Sequence, residues 1–319
     1  MLQPWTVALI VAGGVLVVLT AVTLAVSYWA YTVAYRRDPK RKDVTHQVLK
    51  GPDYDAYAEE SLEIIKKAET IPYEEVYATS FDGLKLFGRL YVREEGKPFH
   101  IEFNGYRGNG IRDFSAGLQL TLEAGHNALL VDQRSHGRSD GTVITFGVKE
   151  RYDVQTWAAF LAERFGPQTE VYLDGVSMGA ATVLMASDLP FACRVKGIIA
   201  DCPYSSPFGI LRKVSHEWVK MGDLTVPFIV LGARLFGRFS VLEYDALRAV
   251  ARTDIPILLI HGTADHFVPF AMSEEIAALR PDKVTFVPVE GAPHGLSCLK
   301  DHASYVAAVR AFCVDRQDD

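Results

Sequence analysis

The residues with the clearest capacity for chemistry lie near the middle of the chain, around Ser177. Residues 175–179 read GVSMG, so Gly175 and Gly179 stand two positions before and after the serine. The apolar run 171–173 precedes this stretch, and an Ala-rich run follows it. A sharp turn from a strand into a helix would project the hydroxyl of Ser177 outwards, and the two glycines leave room for that turn. The pattern predicts a nucleophilic serine, and a turn serine without chemistry is the weaker interpretation.

A serine hydroxyl attacks poorly unless a base accepts its proton and a carboxylate orients that base. Asp265 follows the apolar run 257–260, and His294 follows the apolar run 284–287 on a loop of small residues. Both loops would begin where a strand ends, so their side chains could meet at one edge of a parallel sheet. We predict that Ser177, His294 and Asp265 form a catalytic triad.

Other polar residues compete for the roles of acid and base. Asp201 follows the apolar run 197–200 and is a second carboxylate at the end of a predicted strand. His261 and His266 are alternative bases, but they neighbour Asp265 in sequence, and a base must bridge the acid and the serine. His136, in the stretch DQRSHGRS at 132–139, is expected to shape a loop.

A tetrahedral intermediate at the serine would also need hydrogen-bond donors for its oxyanion. One predicted donor is the backbone amide of Met178, which directly follows the serine and opens the predicted helix. The other is the backbone amide of Tyr106, in the loop NGYRGNG at 104–110 after the predicted strand 100–103. The glycines of that loop would let its amides turn towards the serine.

The segments that must position these loops alternate between short apolar runs and helical patterns. A hairpin with one half-buried face is predicted around the turn Asp82-Gly83. The later runs are bounded by turn residues and suit strands buried on both faces of a parallel sheet. Residues 154–165 carry apolar side chains at helical spacing. The alternation predicts an α/β fold with a mostly parallel sheet flanked by helices. The predicted strands are 84–92, 100–103, 128–131, 171–173, 197–200, 257–260 and 284–287.

The first 35 residues carry no charge, and residues 7–33 are almost continuously apolar. About 20 apolar residues suffice for a helix to cross a bilayer. A cleaved signal peptide would have a basic start and a shorter apolar core of about 7–15 residues, and a buried core helix is the other alternative. We predict a single transmembrane anchor over residues 1–35.

Basic residues are concentrated on the C-terminal side of this anchor. Because cytoplasmic flanks are enriched in lysine and arginine, the chain is predicted to be a single-pass protein of the cell membrane with its main domain in the cytoplasm. Residues 36–75 form the basic juxtamembrane segment and a connector helix at 53–69, to which we assign no chemistry. The basic residues are Arg36, Arg37, Lys40, Arg41 and Lys42.

Composition excludes several other classes of protein. The net charge of -6 is spread over the whole chain, so no basic face for nucleic acid is expected. No cysteine pair has C-x-x-C spacing, and four free, mostly buried thiols are expected, with a disulfide between Cys193 and Cys202 as the alternative outside the cell. No metal or organic cofactor is predicted. The other two cysteines are Cys298 and Cys313.

These motifs, taken in order, resemble the α/β-hydrolase superfamily. The chain is similar in particular to bacterial membrane-anchored members that are like serine aminopeptidases and monoacylglycerol lipases. The resemblance covers about residues 76–314 and rests on NGY at 104–106, DQRSHGRS at 132–139, GVSMG at 175–179 and the loops of Asp265 and His294. Family members usually carry His-Gly where this chain has Asn104-Gly105. The predicted oxyanion donor is a backbone amide, which a change from His to Asn does not remove. The change affects the side chain that normally braces this loop.

The resemblance also implies a helical cap over the site, inserted at about 203–253, where the strand rhythm lapses. Its apolar stripes could simply pack together, or the cap could line a pocket for an acyl group near the membrane. The α/β-hydrolase domain with this cap would span residues 76–319.

The predicted activity is cleavage of a carboxylic ester, or of an amide or thioester, through an acyl-enzyme intermediate. The substrate would be a small acyl compound, with lipid-like compounds among the candidates. A peptidase, thioesterase or acyltransferase using the same triad is one alternative. A catalytically idle hydrolase scaffold used for binding is another, which the intact serine, histidine and aspartate disfavour. The natural substrate and the oligomeric state are left open.

Overall fold

The computed structural model describes residues 3–37, 43–219 and 222–314. Lys40, Arg41 and Lys42 of the basic segment lie outside these ranges. Eight strands occur in the described residues: β1 Glu74–Thr79, β2 Lys85–Tyr91, β3 Phe99–Phe103, β4 Asn127–Asp132, β5 Glu170–Val176, β6 Arg194–Asp201, β7 Ile257–Gly262 and β8 Val284–Val289. The α-helices are α1 Pro4–Ala34, α2 Ala58–Glu69, α3 Gly110–Glu123, α4 Glu150–Phe165, α5 Met178–Ala186, α6 Pro207–Val219, α7 Val226–Gly232, α8 Ala246–Val250, α9 Phe270–Leu279, α10 Ser297–Lys300 and α11 His302–Val314.

The strands form one sheet in the order β1-β2-β4-β3-β5-β6-β7-β8. β2 pairs antiparallel with both β1 and β4, and every later pairing is parallel. The prediction of a mostly parallel sheet flanked by helices is confirmed. Because successive parallel strands run the same way, their carboxyl ends and the loops after them gather at one edge of the sheet.

The predicted hairpin is formed by β1 and β2, but the expectation of one half-buried face is wrong for β2. Phe87 and Leu86, on opposite faces of this strand, are both fully buried. On one face Leu86 joins the core that contains Trp157 of α4, and on the other the ring of Phe87 is covered by Tyr77 and Arg138.

Alternate residues of the strands pack against different layers of helices. On β4, Leu129 and Val131 join the core that contains Trp157 of α4 and the apolar residues of α5. Ala128 and Leu130 of the same strand face the opposite way and pack with α3 and α2. This two-residue period places one helical layer on each side of the sheet.

The helix α1 extends away from the sheet for most of its length. It is long and apolar enough to span a membrane, with a mean hydropathy of 2.7 over its best 18-residue window, none of which is buried. Its last turns pack against α7 and the π-helix Ala233–Gly237. A Cβ added at Gly232 would lie 2.5 Å from the carbonyl oxygen of Ser27, so the small residue permits this close crossing. The C-terminal end of α1 is therefore fastened to the globular part of the chain.

Candidate active site

Ser177 lies on the turn between β5 and α5, with a φ angle of 54° that places it in the left-handed region. The turn brings neighbouring segments very close. A Cβ on Gly179 would lie 1.8 Å from the carbonyl oxygen of Phe103, and one on Gly175 would lie 2.3 Å from the backbone of Gly179. The glycines two positions either side of the serine are thus required by the close approach of β3 and α5. The amide of Ser177 donates to the carbonyl oxygen of Asp201, 2.8 Å away, which ties the turn to β6.

The structure brings Ser177, His294 and Asp265 into one hydrogen-bonded chain. The Oγ of Ser177 lies 2.9 Å from Nε2 of His294, and Nδ1 of His294 lies 2.6 Å from Oδ2 of Asp265. Asp265 lies on the loop after β7 and His294 on the loop after β8, so both reach the serine from the carboxyl edge of the sheet. A carboxylate accepts but cannot donate, so Nδ1 of His294 carries the proton and Nε2 is the acceptor for the serine hydroxyl.

Asp265 is buried and accepts hydrogen bonds from several donors. Its Oδ1 receives the amides of Phe267 and Val268 at 2.9 and 2.8 Å, and its Oδ2 lies 3.1 Å from Nε2 of His261. Burial by itself raises the pKa of this carboxyl, but the bonds from His261 and His294 outweigh it and hold the pKa well below its ordinary value. Asp265 is therefore ionised throughout the neutral range.

His261, an alternative base by sequence, contacts Asp265 and not the serine hydroxyl. Its Nδ1 lies 2.6 Å from the Oγ of Ser273, and its Nε2 contacts Asp265 and the carbonyl oxygen of Val268. These contacts hold His261 against the carboxylate of Asp265, which it braces. The sequence reasoning missed this role, although the spacing of His261 four residues before Asp265 at the end of a strand is a usable signal.

The other two rivals do not reach the serine hydroxyl. His266 is exposed on the loop after β7. Asp201 is buried, and its Oδ1 accepts a hydrogen bond from Ser297 at 3.0 Å. Burial raises the pKa of Asp201 to about 6, only partly offset by that bond and by the nearby histidines. The carboxylate that bonds to His294 is Asp265.

The loop after β3 approaches Ser177 and is braced by its own side chains. The Oδ1 of Asn104 accepts the amide of Gln133 at 2.9 Å, and its Nδ2 donates to the carbonyl oxygen of Gly105 at 2.8 Å. The amide of Gly105 donates to Asp113 of α3 at 2.9 Å. Asn104 therefore supplies the bracing contact that its departure from the family pattern left open. The amide of Gly105 is thus engaged with Asp113. The next amide along the loop is that of Tyr106, the predicted oxyanion donor.

The amide of Met178 is the first in helix α5, and the first amides of a helix have no partner within it. The structure thus places both predicted oxyanion donors, Met178 and Tyr106, on segments that border Ser177. His136 lies in the neighbouring loop, where its Nε2 accepts the amide of Arg107 at 2.9 Å and its Nδ1 donates to the carbonyl oxygen of Arg134. Its contacts hold the turn after Tyr106, as the loop-shaping interpretation predicts.

A cavity of about 640 Å³ opens beside Ser177 and His294. Its walls come from residues 47–65, from α3 and from α10 and α11. Of the residues that the structure describes, none between 203 and 253 lines this cavity, so the hypothesis that the predicted cap lines an acyl pocket is not supported. The connector, to which the sequence analysis assigned no chemistry, forms one wall of the cavity through α2 and the segment before it. In this segment, α7 and the π-helix Ala233–Gly237 instead provide the surface on which α1 packs.

The four cysteines are free thiols, and Cys193, Cys202 and Cys313 are buried. This agrees with the expectation of unpaired, mostly buried thiols, and the alternative disulfide between Cys193 and Cys202 is not formed. Burial raises the pKa of the Cys202 thiol well above its ordinary value, which keeps this neighbour of the site protonated.

The sheet order, the serine turn and the two strand-end loops together define an α/β-hydrolase fold. The chain is similar in structure to the Pyrococcus furiosus esterase Pf2001, with a TM-score of 0.64 and 21% identity over 79% of this chain and 93% of that one. It is also similar to the α/β-hydrolase GrgF from Penicillium sp. sh18, with a TM-score of 0.58 and 17% identity over 78% of this chain and 100% of that one. The chain has the α/β-hydrolase fold.

In sequence, the chain is similar to the protein YqkD of Bacillus subtilis strain 168, at 24% identity over 203 residues. The alignment covers 63% of this chain and 66% of the Bacillus protein, just under two thirds of its length. No protein-family model matches the chain.

Proposed function

We propose that this protein is a serine hydrolase that cleaves carboxylic esters through an acyl-enzyme intermediate. The observation that carries the proposal is the continuous hydrogen-bonded chain from the Oγ of Ser177 through His294 to the ionised Asp265. The likeness of the fold to that of an esterase supports it. Hydrolysis of amides or thioesters on the same three residues is the alternative within the same chemistry.

In the proposed reaction, His294 Nε2 removes the proton of Ser177 as its Oγ attacks the acyl carbon, and a tetrahedral oxyanion forms. The amides of Met178 and Tyr106 donate to this oxyanion. The imidazolium of His294, stabilised by Asp265, then protonates the leaving alcohol as the bond between the acyl carbon and the alcohol oxygen breaks. His294 then removes a proton from a water molecule, whose oxygen attacks the acyl carbon of the acyl-enzyme. The bond between this carbon and the Oγ of Ser177 breaks, the acid is released, and His294 returns the proton to Ser177.

The remaining parts of the chain have a place in this proposal. Residues 1–35 would anchor the protein in the cell membrane, residues 36–75 would connect the anchor to the catalytic part, and residues 76–319 would form the hydrolase domain with an insertion at about 203–253. The exposed apolar length of α1 supports the anchor. The basic residues that follow α1 support a cytoplasmic position for the catalytic domain.

A fluorophosphonate probe tests the nucleophile directly in detergent-solubilised full-length protein. The wild type is expected to be labelled and to hydrolyse p-nitrophenyl acetate, whereas Ser177→Ala is expected to lose labelling and at least about a thousandfold of its rate. Ser187→Ala, on a serine just after α5, is the matched control and should be labelled like the wild type. A folded wild-type protein that resists the probe and cleaves no ester would contradict the proposed function.

A further inference from the structure

The cavity beside Ser177 lies on the side of the sheet where α3 and α11 pack, under the connector helix α2. The connector contributes Val48, Leu49, Tyr54, Tyr57, Ile64 and Ile65 to its wall. The opposite wall includes apolar residues of α3 and α11, among them Phe114, Leu120, Val306 and Val309. A cavity of this volume, mostly apolar and continuous with a nucleophile, has the size and chemistry of a site for a small organic ligand.

The direction of the cavity follows from the strand that carries the serine. Successive side chains of a strand point to opposite faces, so Asp174 and Val176 of β5 face the same way. Both line the cavity. Asp174 is three residues before Ser177, which at strand spacing is roughly 10 Å. The cavity therefore runs from Ser177 back along β5, towards the amino ends of the strands.

The far end of the cavity is polar, in contrast with its walls. The Nδ1 of His100 lies 2.7 Å from Oδ2 of Asp174, and its Nε2 lies 3.0 Å from Nδ1 of His126. All three side chains are buried. Burial lowers the pKa of His100, but the interaction with Asp174 raises it by a larger amount, so this pKa lies well above its ordinary value. An alkyl group that reaches this end would meet a hydrogen-bonded polar pair in place of an apolar wall, so further methylene groups there gain nothing.

Tyr54 lines the cavity. Burial raises the pKa of its phenol, and the negative charge of Asp265 raises it further. The connector thus closes over the cavity at the end where Ser177 and Phe267 also contribute to the lining.

We propose that this cavity receives the acyl group of the substrate, so that the connector, rather than the segment 203–253, selects acyl esters of medium chain length. The inference rests on the proposed function, because it assigns a binding site to the acyl group of the ester that Ser177 attacks. The apolar walls favour a hydrocarbon chain, and the His100–Asp174 pair at the far end sets the limit beyond which further methylene groups gain nothing.

A series of p-nitrophenyl esters from two to sixteen acyl carbons tests this assignment. For the wild type, kcat/KM is expected to rise by up to about fourfold for each added methylene group that the cavity buries. The rise should stop near the chain length that spans the distance from Ser177 to Asp174. A profile that is flat from the shortest ester onwards, or that still rises at sixteen carbons, would overturn the proposal.

Ser61→Phe places a ring in the cavity from α2, where Ser61 is half-buried and lines the wall. This variant is expected to lower kcat/KM for the octanoate ester at least tenfold and to leave the acetate ester within about twofold. Leu120→Phe fills the same space from α3 and serves if Ser61→Phe does not fold. Leu235→Trp, on an exposed residue of the segment 203–253 outside the cavity, is the matched control and should keep the wild-type profile.

The outcomes separate this inference from the proposed function. Retained fluorophosphonate labelling and acetate hydrolysis in every variant show that the triad still works. With both retained, an unchanged octanoate rate in Ser61→Phe and Leu120→Phe, or a shortened profile in Leu235→Trp alone, would overturn the connector as the acyl site. Loss of labelling in the wild type would instead count against the proposed function itself.

Discussion

Asp201 and Asp265 lie at the carboxyl ends of neighbouring strands, and their surroundings shift their pKa values in opposite directions. Asp265 receives two backbone amides and two histidines, so its pKa is low and it stays ionised. Asp201 is buried with one hydrogen bond from Ser297, so its pKa is raised to about 6. The number of donors aimed at each carboxylate, and not its distance from the serine in sequence, separates the two roles.

The substitution Asp201→Asn tests this difference through stability. An aspartate in the unfolded chain has a pKa of about 3.9, so the folded protein binds the proton of Asp201 more tightly and wild-type stability falls as pH rises from about 4 to 6. The cost at neutral pH is roughly 2–3 kcal/mol for a shift of about two units. Asparagine stays neutral and can still accept from Ser297. We therefore expect the variant to be more stable than the wild type at pH 7.5 and similar near pH 4.5, measured by thermal unfolding in detergent.

The activity of the same variant distinguishes the two candidate acids. Asp201→Asn is expected to keep its esterase rate within about tenfold of the wild type, whereas Asp265→Asn should lose about ten-thousandfold, as replacements of a triad acid do. A stability difference that is identical at both pH values would contradict the raised pKa of Asp201. Loss of activity on the scale of a triad residue in Asp201→Asn would make it the acid instead.

At the scale of elements, the loop after β3 is held from three directions. Asp113 of α3 binds the amide of Gly105, and Asn104 is locked to Gln133. The third contact comes from the anchor helix, because the hydroxyl of Tyr106 donates to the carbonyl oxygen of Ala34 at 2.8 Å and Arg107 donates to that of Val33 at 2.6 Å. These carbonyls belong to the last turn of α1, whose final oxygens have no partner within the helix. The end of α1 thus braces the segment that carries a proposed oxyanion donor.

The substitution Tyr106→Phe removes one of these braces and leaves the Tyr106 backbone amide in place. A hydrogen bond contributes about 0.5–1.5 kcal/mol, so we expect kcat for a short ester to fall roughly two- to tenfold while KM changes less than twofold. A fall in kcat without a matching change in KM would indicate a less well positioned oxyanion donor and unimpaired substrate binding. Tyr73→Phe, which removes the hydroxyl of a partly exposed tyrosine on the segment before β1, is the control. A kcat equal to that of the wild type would show that the contact with α1 does not support the loop.

At the scale of the whole molecule, α1 is both the exposed apolar helix and a packed part of the fold. Its N-terminal two thirds expose large apolar side chains, whereas Ser27, Ala30 and Tyr31 near its end are buried against the domain. Arg37, just beyond the helix, donates to the carbonyl oxygens of Gly137 and Ser139. A helix fastened in this way would hold the loop edge of the sheet, and the proposed site with it, close to the membrane surface.

The proposed topology can be tested with fusions to the full-length chain in bacterial cells. A C-terminal fusion to alkaline phosphatase, which is active only outside the cytoplasm, is expected to be inactive, and a fusion to green fluorescent protein should fluoresce at the membrane. The physical reason is the cluster of basic residues after α1, which favours retention on the cytoplasmic side. Replacing Arg36 and Arg37 by glutamine should weaken this preference. Strong phosphatase activity of the wild-type fusion would reverse the assignment.

The sequence alone determined those features that depend on neighbouring residues in the chain. The alternation of short apolar runs with helical patterns predicted the parallel sheet, and GVSMG between a strand and a helix predicted the turn at Ser177. The order of the strand-end loops predicted that Asp265 and His294 could meet the serine. These are local patterns, because strand period, turn geometry and glycine spacing are dictated by contacts over a few residues.

Which distant segments surround that turn depends on how the whole chain packs. The spacing of His261 four residues before Asp265 hints at a contact between them, but it does not decide whether His261 braces the carboxylate or contacts the serine. The sequence of the connector does not show that it would line the cavity. The sequence of the cap region does not show that it would pack against α1 and not against the cavity. The contacts between the cap region and the end of α1 join distant residues, as in the bond between Tyr35 and Ile229, which are 194 positions apart. Their choice depends on how whole helices and strands pack, since an apolar stripe can bury itself equally well against several partners.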